Sequence, residues 1–228
     1  MDVVVTGSNG QLGQEYVRIL REYKANVIGI DITGQCDINL DITDQAAVSN
    51  FWKNIGPIDC LINNAGIGVF TDGLGRSKED FMKVLEINLW GTYNMIMNYI
   101  KFSEYECKKR IINIASLYGH ISSDYRIYGK SKRNNSEVYS ASKAGVIGLT
   151  KYIAANYSQR SVICNSVSPG GVLREQTSDF VLNYSGKSPQ ARLADADEIG
   201  KVVKFLALDS PDHLNGEDIK VDGGFSIW

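Results

Sequence analysis

Short apolar runs rich in β-branched residues alternate along this chain with longer stretches whose apolar positions recur every three or four residues. The first run covers residues 2–6. In the stretch that follows, Leu12, Tyr16, Ile19 and Leu20 fall on one helical face. Residues 26–31 and 58–63 form the next two runs. Residues 77–102 read as a long helix with a break near its middle, opened by Ser77 with Asp80 in the manner of a capping box. Residues 110–115 (RIINIA) read as a buried strand, 139–157 as a helix rich in small residues, and 161–168 (SVICNSVS) as a strand stopped by Pro169-Gly170-Gly171. Asp195 and Glu198 cap a helix running to about residue 208, and 219–221 is a last short strand. Strands that alternate with helices of this length build βαβ units on a parallel sheet.

No linker, internal repeat or low-complexity tract divides the chain. Its 228 residues, 43% of them hydrophobic, are read as one domain with a substantial core. Two irregular segments, near 117–138 and 172–193, have the length of functional loops. The formal net charge of −2 gives no pull toward nucleic acid or an anionic membrane surface. No run approaches the roughly 20 apolar residues that a membrane helix needs, and no secretory signal is visible. The four cysteines show neither CxxC nor zinc-ligand spacing, so no metal is expected, and Cys60 and Cys164 read as buried thiols. A reducing cytoplasm suits this usage.

Two patterns carry chemistry. Residues 3–13 read VVVTGSNGQLG, a buried strand running into Gly7, Gly10 and Gly13 with a helix behind. Glycines there let the backbone turn and approach a pyrophosphate, and the following helix aims free N–H groups at it. A glycine-rich turn without function is the plainer alternative. Asp31 ends the second strand at the distance where an acidic residue accepts hydrogen bonds from an adenosine ribose and repels a 2′-phosphate. No Lys or Arg lies between Thr6 and Glu15 to receive such a phosphate. These features favour NAD(H) over NADP(H).

The second pattern is YSASK at 139–143. Tyr139 and Lys143, four apart, share a helix face. A free phenol, with a pKa of about 10, is a poor base near neutrality, and a neighbouring ammonium favours its ionised form. Tyr139 could then exchange a proton with an alcohol while hydride moves at its carbon. Tyr128 and Lys132 repeat the spacing, but Gly129 and the turn-like Arg133-Asn134-Asn135 make that segment a decoy. An ordinary surface Tyr and Lys is the alternative for either pair.

These motifs, with several others in fixed order, make the chain resemble the short-chain dehydrogenase/reductase family over essentially its whole length. Thr6-Gly7 resembles the family's opening, Asn63-Asn64-Ala65-Gly66 its NNAG motif, Asn88 its catalytic Asn, Ser116 its catalytic Ser, and Tyr139 with Lys143 its YxxxK. Asp41, Pro169-Gly170 and the VDGG at 221–224 complete the series. The resemblance implies a doubly wound, Rossmann-type α/β domain with a parallel sheet of about seven strands and helices on both faces. It implies that Ser116 holds the substrate oxygen, Tyr139 is the acid/base, and Lys143 binds the nicotinamide ribose and lowers the tyrosine pKa. Asn88 supports a proton-relaying water. Gly7, Asn9, Gly10, Gln11, Leu12, Gly13 and Ile42 would bind the cofactor, with the glycines at its pyrophosphate, Asp31 at the adenosine ribose, Asp41 at the adenine, and Asn64, Ala65 and Gly66 along its adenosine side. Pro169, Gly170 and Val172 meet the nicotinamide. Ser116, Tyr118, Tyr139 and Gly171 are the candidate substrate residues.

Two departures bear on substrate. The glycines are spaced TGxxGxxG, which resembles extended members acting on nucleotide-linked sugars, and the stretch from Ser116 to Tyr139 is long for the classical pattern. Tyr118, His120, Tyr125 and Tyr128 in that stretch suit a polar lip for a sugar-like alcohol or ketone, or a plain solvated loop. The reading is an NAD(H)-dependent oxidoreductase of a small secondary alcohol or ketone, with a role in carbohydrate or surface polysaccharide synthesis as its extension. A nucleotide-sugar epimerase or dehydratase with retained NAD and a non-catalytic NAD-binding regulatory protein are its rivals. Helices near 80–102 and 139–157 are apolar on more than one face, through Leu89, Trp90, Tyr93, Met97, Ile147 and Leu149, which fits a homodimer or homotetramer. Burial within one chain is the alternative.

Overall fold

The computed structural model describes residues 1–70, 73–104, 106–131 and 134–228. Seven strands form one parallel sheet: β1 (Asp2–Thr6), β2 (Asn26–Asp31), β3 (Ile38–Asn39), β4 (Cys60–Asn63), β5 (Lys109–Ile114), β6 (Val162–Pro169) and β7 (Asp218–Val221). Their order is β3-β2-β1-β4-β5-β6-β7. Seven α-helices are present among the described residues: α1 (Gln11–Glu22), α2 (Gln45–Asn54), α3 (Lys78–Leu85), α4 (Thr92–Phe102), α5 (Glu137–Tyr157), α6 (Ser178–Ser185) and α7 (Ala196–Lys204). Chain direction across the sheet reverses at β1, which has β2 on one side and β4 on the other. A crevice opens at such a switch point, beyond the carboxyl ends of the strands.

Strand periodicity decides which helices cover which face. Successive side chains of β1 point to opposite sides. Val4 packs with Phe51, Trp52, Met95 and Tyr99 under α2 and α4, whereas Val3 and Val5 pack with Tyr16, Leu20, Ile199 and Val203 under α1 and α7. Burying each such side chain contributes roughly 1.5–3 kcal/mol, so the central strands are the most firmly held part of the molecule. That rigidity fixes the loops at their carboxyl ends, where the chemistry lies.

The expected strands are all present, with ends shifted by a residue or two. The short edge strand β3 and the helix α2 are additions to the pattern reading. Two residues do not make a periodicity, and Gln45–Asn54 buries only Val48, Phe51 and Trp52. The expected break in residues 77–102 is a π turn at Glu86–Gly91 between α3 and α4. At its start, the Ser77 hydroxyl accepts the Asp80 N–H at 3.0 Å. The capping box foreseen at Asp195 and Glu198 is formed, and α7 runs on into a π turn at Phe205–Asp209.

The segment 172–193 is less irregular than its composition implies, because it contains α6. Among the described residues, the segment 117–138 holds 3-10 turns at Leu117–Gly119 and within Tyr125–Ser131, the latter broken at Gly129 by its positive φ. Aromatic packing joins the two segments. Tyr128 lies 5.3 Å from Phe180, and Tyr184 stacks on Phe180 at 5.9 Å and on Phe225 at 4.6 Å. Lys132 of the decoy pair lies outside the described residues. Cys60 and Cys164 are free and buried, as expected, while Cys107 is exposed.

Candidate active site

The glycine loop is shaped by what its glycines exclude. Gly7 has φ of +64°, and a Cβ there would stand 2.7 Å from the Ala65 Cα. A Cβ on Gly13 would stand 2.0 Å from the Gly7 carbonyl oxygen. Only glycine serves at either position. Gly10, at φ −70°, precedes the first turn of α1. This part of the sheet is tied together by Thr6, whose hydroxyl accepts the N–H groups of Asn64 and Ala65 at 3.0 and 3.1 Å. Asn64 also donates to the Gly7 carbonyl at 2.9 Å.

Asp31 sits at the end of β2 beside this loop. One carboxylate oxygen accepts the Asn9 N–H at 2.9 Å, and the other accepts the Ile32 N–H at 2.8 Å. The Asn9 side chain reaches the Thr33 carbonyl. The acidic group is thus held at the crevice edge by the glycine loop itself. Asp41 caps its own turn, accepting from Thr43. Ile42 is buried, its carbonyl accepting from Asn94 at 2.9 Å.

A crevice of about 1000 Å³ runs from these residues to Tyr139. Of the proposed cofactor residues, Gly7, Asn9, Gly10, Gln11, Leu12, Asp31, Asp41, Ile42, Asn64, Ala65, Gly66, Tyr139, Lys143, Pro169, Gly170 and Val172 all line it. Gly13 does not. It is the packing glycine under the loop, with its Cα against the Gly7 carbonyl. The volume and the glycine cradle fit a dinucleotide, with Gly10 and the start of α1 at its diphosphate.

At the far end, Ser116, Tyr139, Lys143 and Asn88 come together. α5 is capped by Ser136, whose hydroxyl accepts the Tyr139 N–H at 3.2 Å. Just ahead of Tyr139, Glu137 pairs with Arg76 at 2.9 Å, joining the start of α5 to the segment before α3. Lys143 is buried and donates to the Ile114 carbonyl at 2.7 Å. Its ammonium is 5.7 Å from the centre of the Tyr139 ring. Asn88 lies in the π turn, a distortion frequent at functional positions. Its Oδ1 accepts the Ile67 N–H at 2.8 Å, and its Nδ2 donates to the Ile67 carbonyl and to the Ser142 hydroxyl at 2.9 and 3.0 Å. Asn88 and Lys143 both flank Gly66.

The electrostatics correct one expectation. The Tyr139 pKa is raised, not lowered, in the protein alone. Burial is the main cause, and a hydrogen bond with Ser116 only partly offsets it. Burial also draws Lys143 down to about 8, because a charged ammonium loses its hydration there.

That shift has a measurable sign. Between pH 8 and about 10.4, the unfolded lysine holds a proton that the folded one has released, so stability from this group rises with pH. The stability of cofactor-free wild type relative to Lys143→Met is expected to increase across that window, by on the order of 3 kcal/mol. Urea melts at stepped pH measure it. A difference that stays flat would mean Lys143 titrates as an ordinary lysine.

The expected polar lip is divided. Tyr118 and Tyr128 line the crevice, whereas Tyr125 is 70% exposed. His120 turns away to pair with Asp218 at 2.7 Å. Ile127 is fully buried, so the lip is clamped by apolar packing rather than solvated throughout. Gly171 lines the crevice, but its N–H donates to the Tyr184 hydroxyl at 2.6 Å. Tyr184, Phe180 and Asn135 line the site and were not foreseen. The spacing of Phe180 and Tyr184, one helical turn apart, was the available signal. Among the described residues, no group of three or more His, Cys, Asp or Glu could hold a metal ion.

Comparison with known proteins places this geometry. A family model described as enoyl-(acyl carrier protein) reductase matches residues 1–226. The chain belongs to the short-chain dehydrogenase/reductase family. It is an oxidoreductase of that family, built around a nicotinamide-cofactor crevice. Carbonyl reductase family member 4 of Xenopus laevis is 31% identical over 98% of this chain and 97% of its own length. The 3-oxoacyl-(acyl-carrier-protein) reductase FabG of Buchnera aphidicola is 31% identical over 97% of this chain and 95% of its own. Among solved structures, a short chain dehydrogenase from Leptospira borgpetersenii with bound NAD+ is similar at a TM-score of 0.93 and 34% identity, covering 99% of this chain and 92% of that one. No helix among the described residues is long and apolar enough to cross a membrane.

Proposed function

We propose that this short-chain dehydrogenase/reductase interconverts a secondary alcohol and a ketone with NAD(H), on a small, polar, sugar-like substrate. The observation that carries the reading is the convergence of Ser116, Tyr139 and Lys143 at one end of a crevice whose other end is the glycine loop and Asp31. A nicotinamide, when bound, would supply or accept the hydride. Every proton movement belongs to the chain. Ser116 holds the substrate oxygen, and the Tyr139 hydroxyl takes the alcohol proton or returns it. Lys143 binds the nicotinamide ribose and adds positive charge beneath the phenol. Asn88, held by Ile67 and Ser142, supports a water that relays protons to Lys143. Val172 and the Pro169-Gly170 turn hold the nicotinamide end.

NAD(H) is the proposed cofactor. Asp31 stands where an adenosine ribose would lie and adds negative charge against a 2′-phosphate, and the Leptospira relative holds NAD+. Asp31→Ser is expected to shift the ratio of NADH to NADPH affinity toward NADPH by about tenfold or more, in calorimetric titration. Wild type that binds NADPH more tightly than NADH would overturn the assignment.

Tyr118, Tyr128, Phe180 and Tyr184 around the substrate end supply aromatic faces and hydroxyls, which suit a carbohydrate ring. A role in making complex or surface carbohydrate follows from that class. The glycine spacing favours one further reading, a nucleotide-sugar epimerase or dehydratase that keeps its NAD. A screen of sugars and polyols, read by absorbance of reduced nicotinamide, separates the two. Net cofactor turnover supports the dehydrogenase, and product formation without it supports the rival. Exposed Trp90 in the π turn, Tyr93 on α4 and Tyr152 on α5 suit pairing of these elements into a homodimer or homotetramer. A cytoplasmic site of action fits the free thiols.

A further inference from the structure

A dinucleotide's diphosphate is doubly charged, and the glycine loop that would cradle it carries no cation. No Lys or Arg lies between Thr6 and Glu15, so the loop offers N–H groups and the end of α1 but no full counter-charge. Among the described residues, the cations that line the crevice are Lys83, Lys143 and Arg174. Lys143 is buried and bonded to the Ile114 carbonyl. Lys83 belongs to α3, ahead of the π turn whose Trp90 donates to the Thr43 carbonyl. Arg174 belongs to the segment after β6, and that segment is tied to the glycine loop. The side chain of Gln11, the first residue of α1, donates to the Leu173 carbonyl at 2.5 Å.

The backbone that carries Arg174 is held on both sides. Val172 pairs with Ala194 in a bridge, and the Leu173 N–H donates to the Ala194 carbonyl at 2.8 Å. The Arg174 N–H donates to the Gln176 side chain at 2.6 Å, and Gln176 donates in turn to the Val172 carbonyl at 2.7 Å. This turn is closed by bonds that leave the Arg174 side chain unused. Among the described residues its guanidinium has no hydrogen-bond or ion-pair partner. The residue is exposed, so the group is open to a ligand entering the crevice. A guanidinium presents paired N–H donors whose spacing matches two phosphate oxygens.

We propose that Arg174 is the counter-charge of the diphosphate, so that the segment after β6 and the glycine loop hold the phosphates between them. The Gln11–Leu173 bond then has a use, since it fixes the backbone from which the guanidinium reaches. This rests on the nicotinamide-cofactor reading of the crevice and adds a specific contact to it.

Nucleotide binding to the full-length protein tests it without any substrate. NADH is titrated by its fluorescence, and ADP-ribose and adenosine by displacing it, on wild type, Arg174→Gln and Arg174→Lys. ADP-ribose keeps the diphosphate and adenosine lacks it. Arg174→Gln is expected to weaken NADH and ADP-ribose by about tenfold and to leave adenosine unchanged. Arg174→Lys keeps the charge without the paired donors and is expected to fall between Arg174→Gln and wild type. Wild-type affinity for NADH should drop as salt is raised, and that of Arg174→Gln should drop less steeply. The Tm of the nucleotide-free protein should be the same in all three, because the guanidinium bonds nothing in the protein.

Arg174→Gln with wild-type affinity for NADH and ADP-ribose overturns the inference. Equal losses on ADP-ribose and adenosine, or a lowered Tm without nucleotide, also overturn it, by assigning Arg174 to the shape of its segment. Wild type that binds neither NADH nor ADP-ribose overturns the cofactor reading itself.

Discussion

Tyr139→Phe is expected to lower kcat by about 10²–10⁴-fold while leaving NADH affinity unchanged. The substitution removes one oxygen and nothing else from the site. The ring keeps its place beside Lys143, whose ammonium is bonded to the Ile114 carbonyl and not to the phenol. Ser116 keeps its hydroxyl and continues to cap its own turn by accepting the Tyr118 N–H at 3.2 Å. The glycine cradle at the other end of the crevice is untouched. Hydride transfer from an alcohol leaves a proton that must go somewhere, and in this variant only water is available to take it. Initial rates by nicotinamide absorbance and binding by NADH fluorescence measure the two quantities separately. Tyr128→Phe is the matched control, since Tyr128 also lines the crevice but sits on the lip. If Tyr139→Phe kept full activity, the phenol would not be the acid/base. If it kept full biological function in the cell, the regulatory reading with no catalysis would stand in its place.

The raised Tyr139 pKa belongs to the same argument. In the protein alone, burial disfavours the phenolate, and the nearest ammonium is itself drawn down toward neutrality. Below about pH 8 Lys143 therefore keeps its proton while the phenol stays neutral. Lys143 spends one donor on Ile114 and keeps others for the crevice. The proposed positive charge of an oxidised nicotinamide would act against that burial, in favour of the phenolate.

Those aspects of the molecule with a period or a steric rule behind them were legible in the sequence. The central strands are continuous apolar runs because both their faces are covered, and Val3, Val4 and Val5 are fully buried as that requires. The turn at the glycines was legible because strand and helix bracket them, and β1 and α1 stand on either side of it. Local propensity put Tyr139, unlike Tyr128, on a long helix, and α5 holds it. The missed features depend on contacts remote in sequence. β3 is two residues long and exists by pairing Ile38 with Ile30. α6 is visible only as the partner of the lip, since of its residues only Tyr184 is buried. The direction of the Tyr139 shift turned on burial, which helix spacing does not report. Asn135 looked like part of a turn cluster, and only the fold brings it to the crevice.

The glycine loop offers the second large effect, and it separates two roles that one motif conceals. Gly13→Ala is expected to destabilise the protein by about 3 kcal/mol or more, lowering Tm by roughly 6–12 °C. The new Cβ would lie 2.0 Å from the carbonyl oxygen of Gly7, with the Ser8 Cα at 2.8 Å. Both are backbone atoms, so no side chain can swing aside, and α1 must move away from the loop. NADH affinity should fall with it, because the first turn of α1 no longer faces the crevice correctly. Gly10→Ala reverses the pattern. Its φ of −70° suits any residue, and a Cβ would meet only the Gly7 carbonyl oxygen, at 3.3 Å. The fold should tolerate it, with Tm within about 2 °C of wild type. The added methyl would occupy the surface that the diphosphate must approach, and NADH affinity is expected to fall about tenfold or more. Thermal melts and NADH titrations of the two variants decide the matter. Equal losses of stability in both would mean that Gly10, like Gly13, is there for packing, and that the diphosphate lies elsewhere along the crevice.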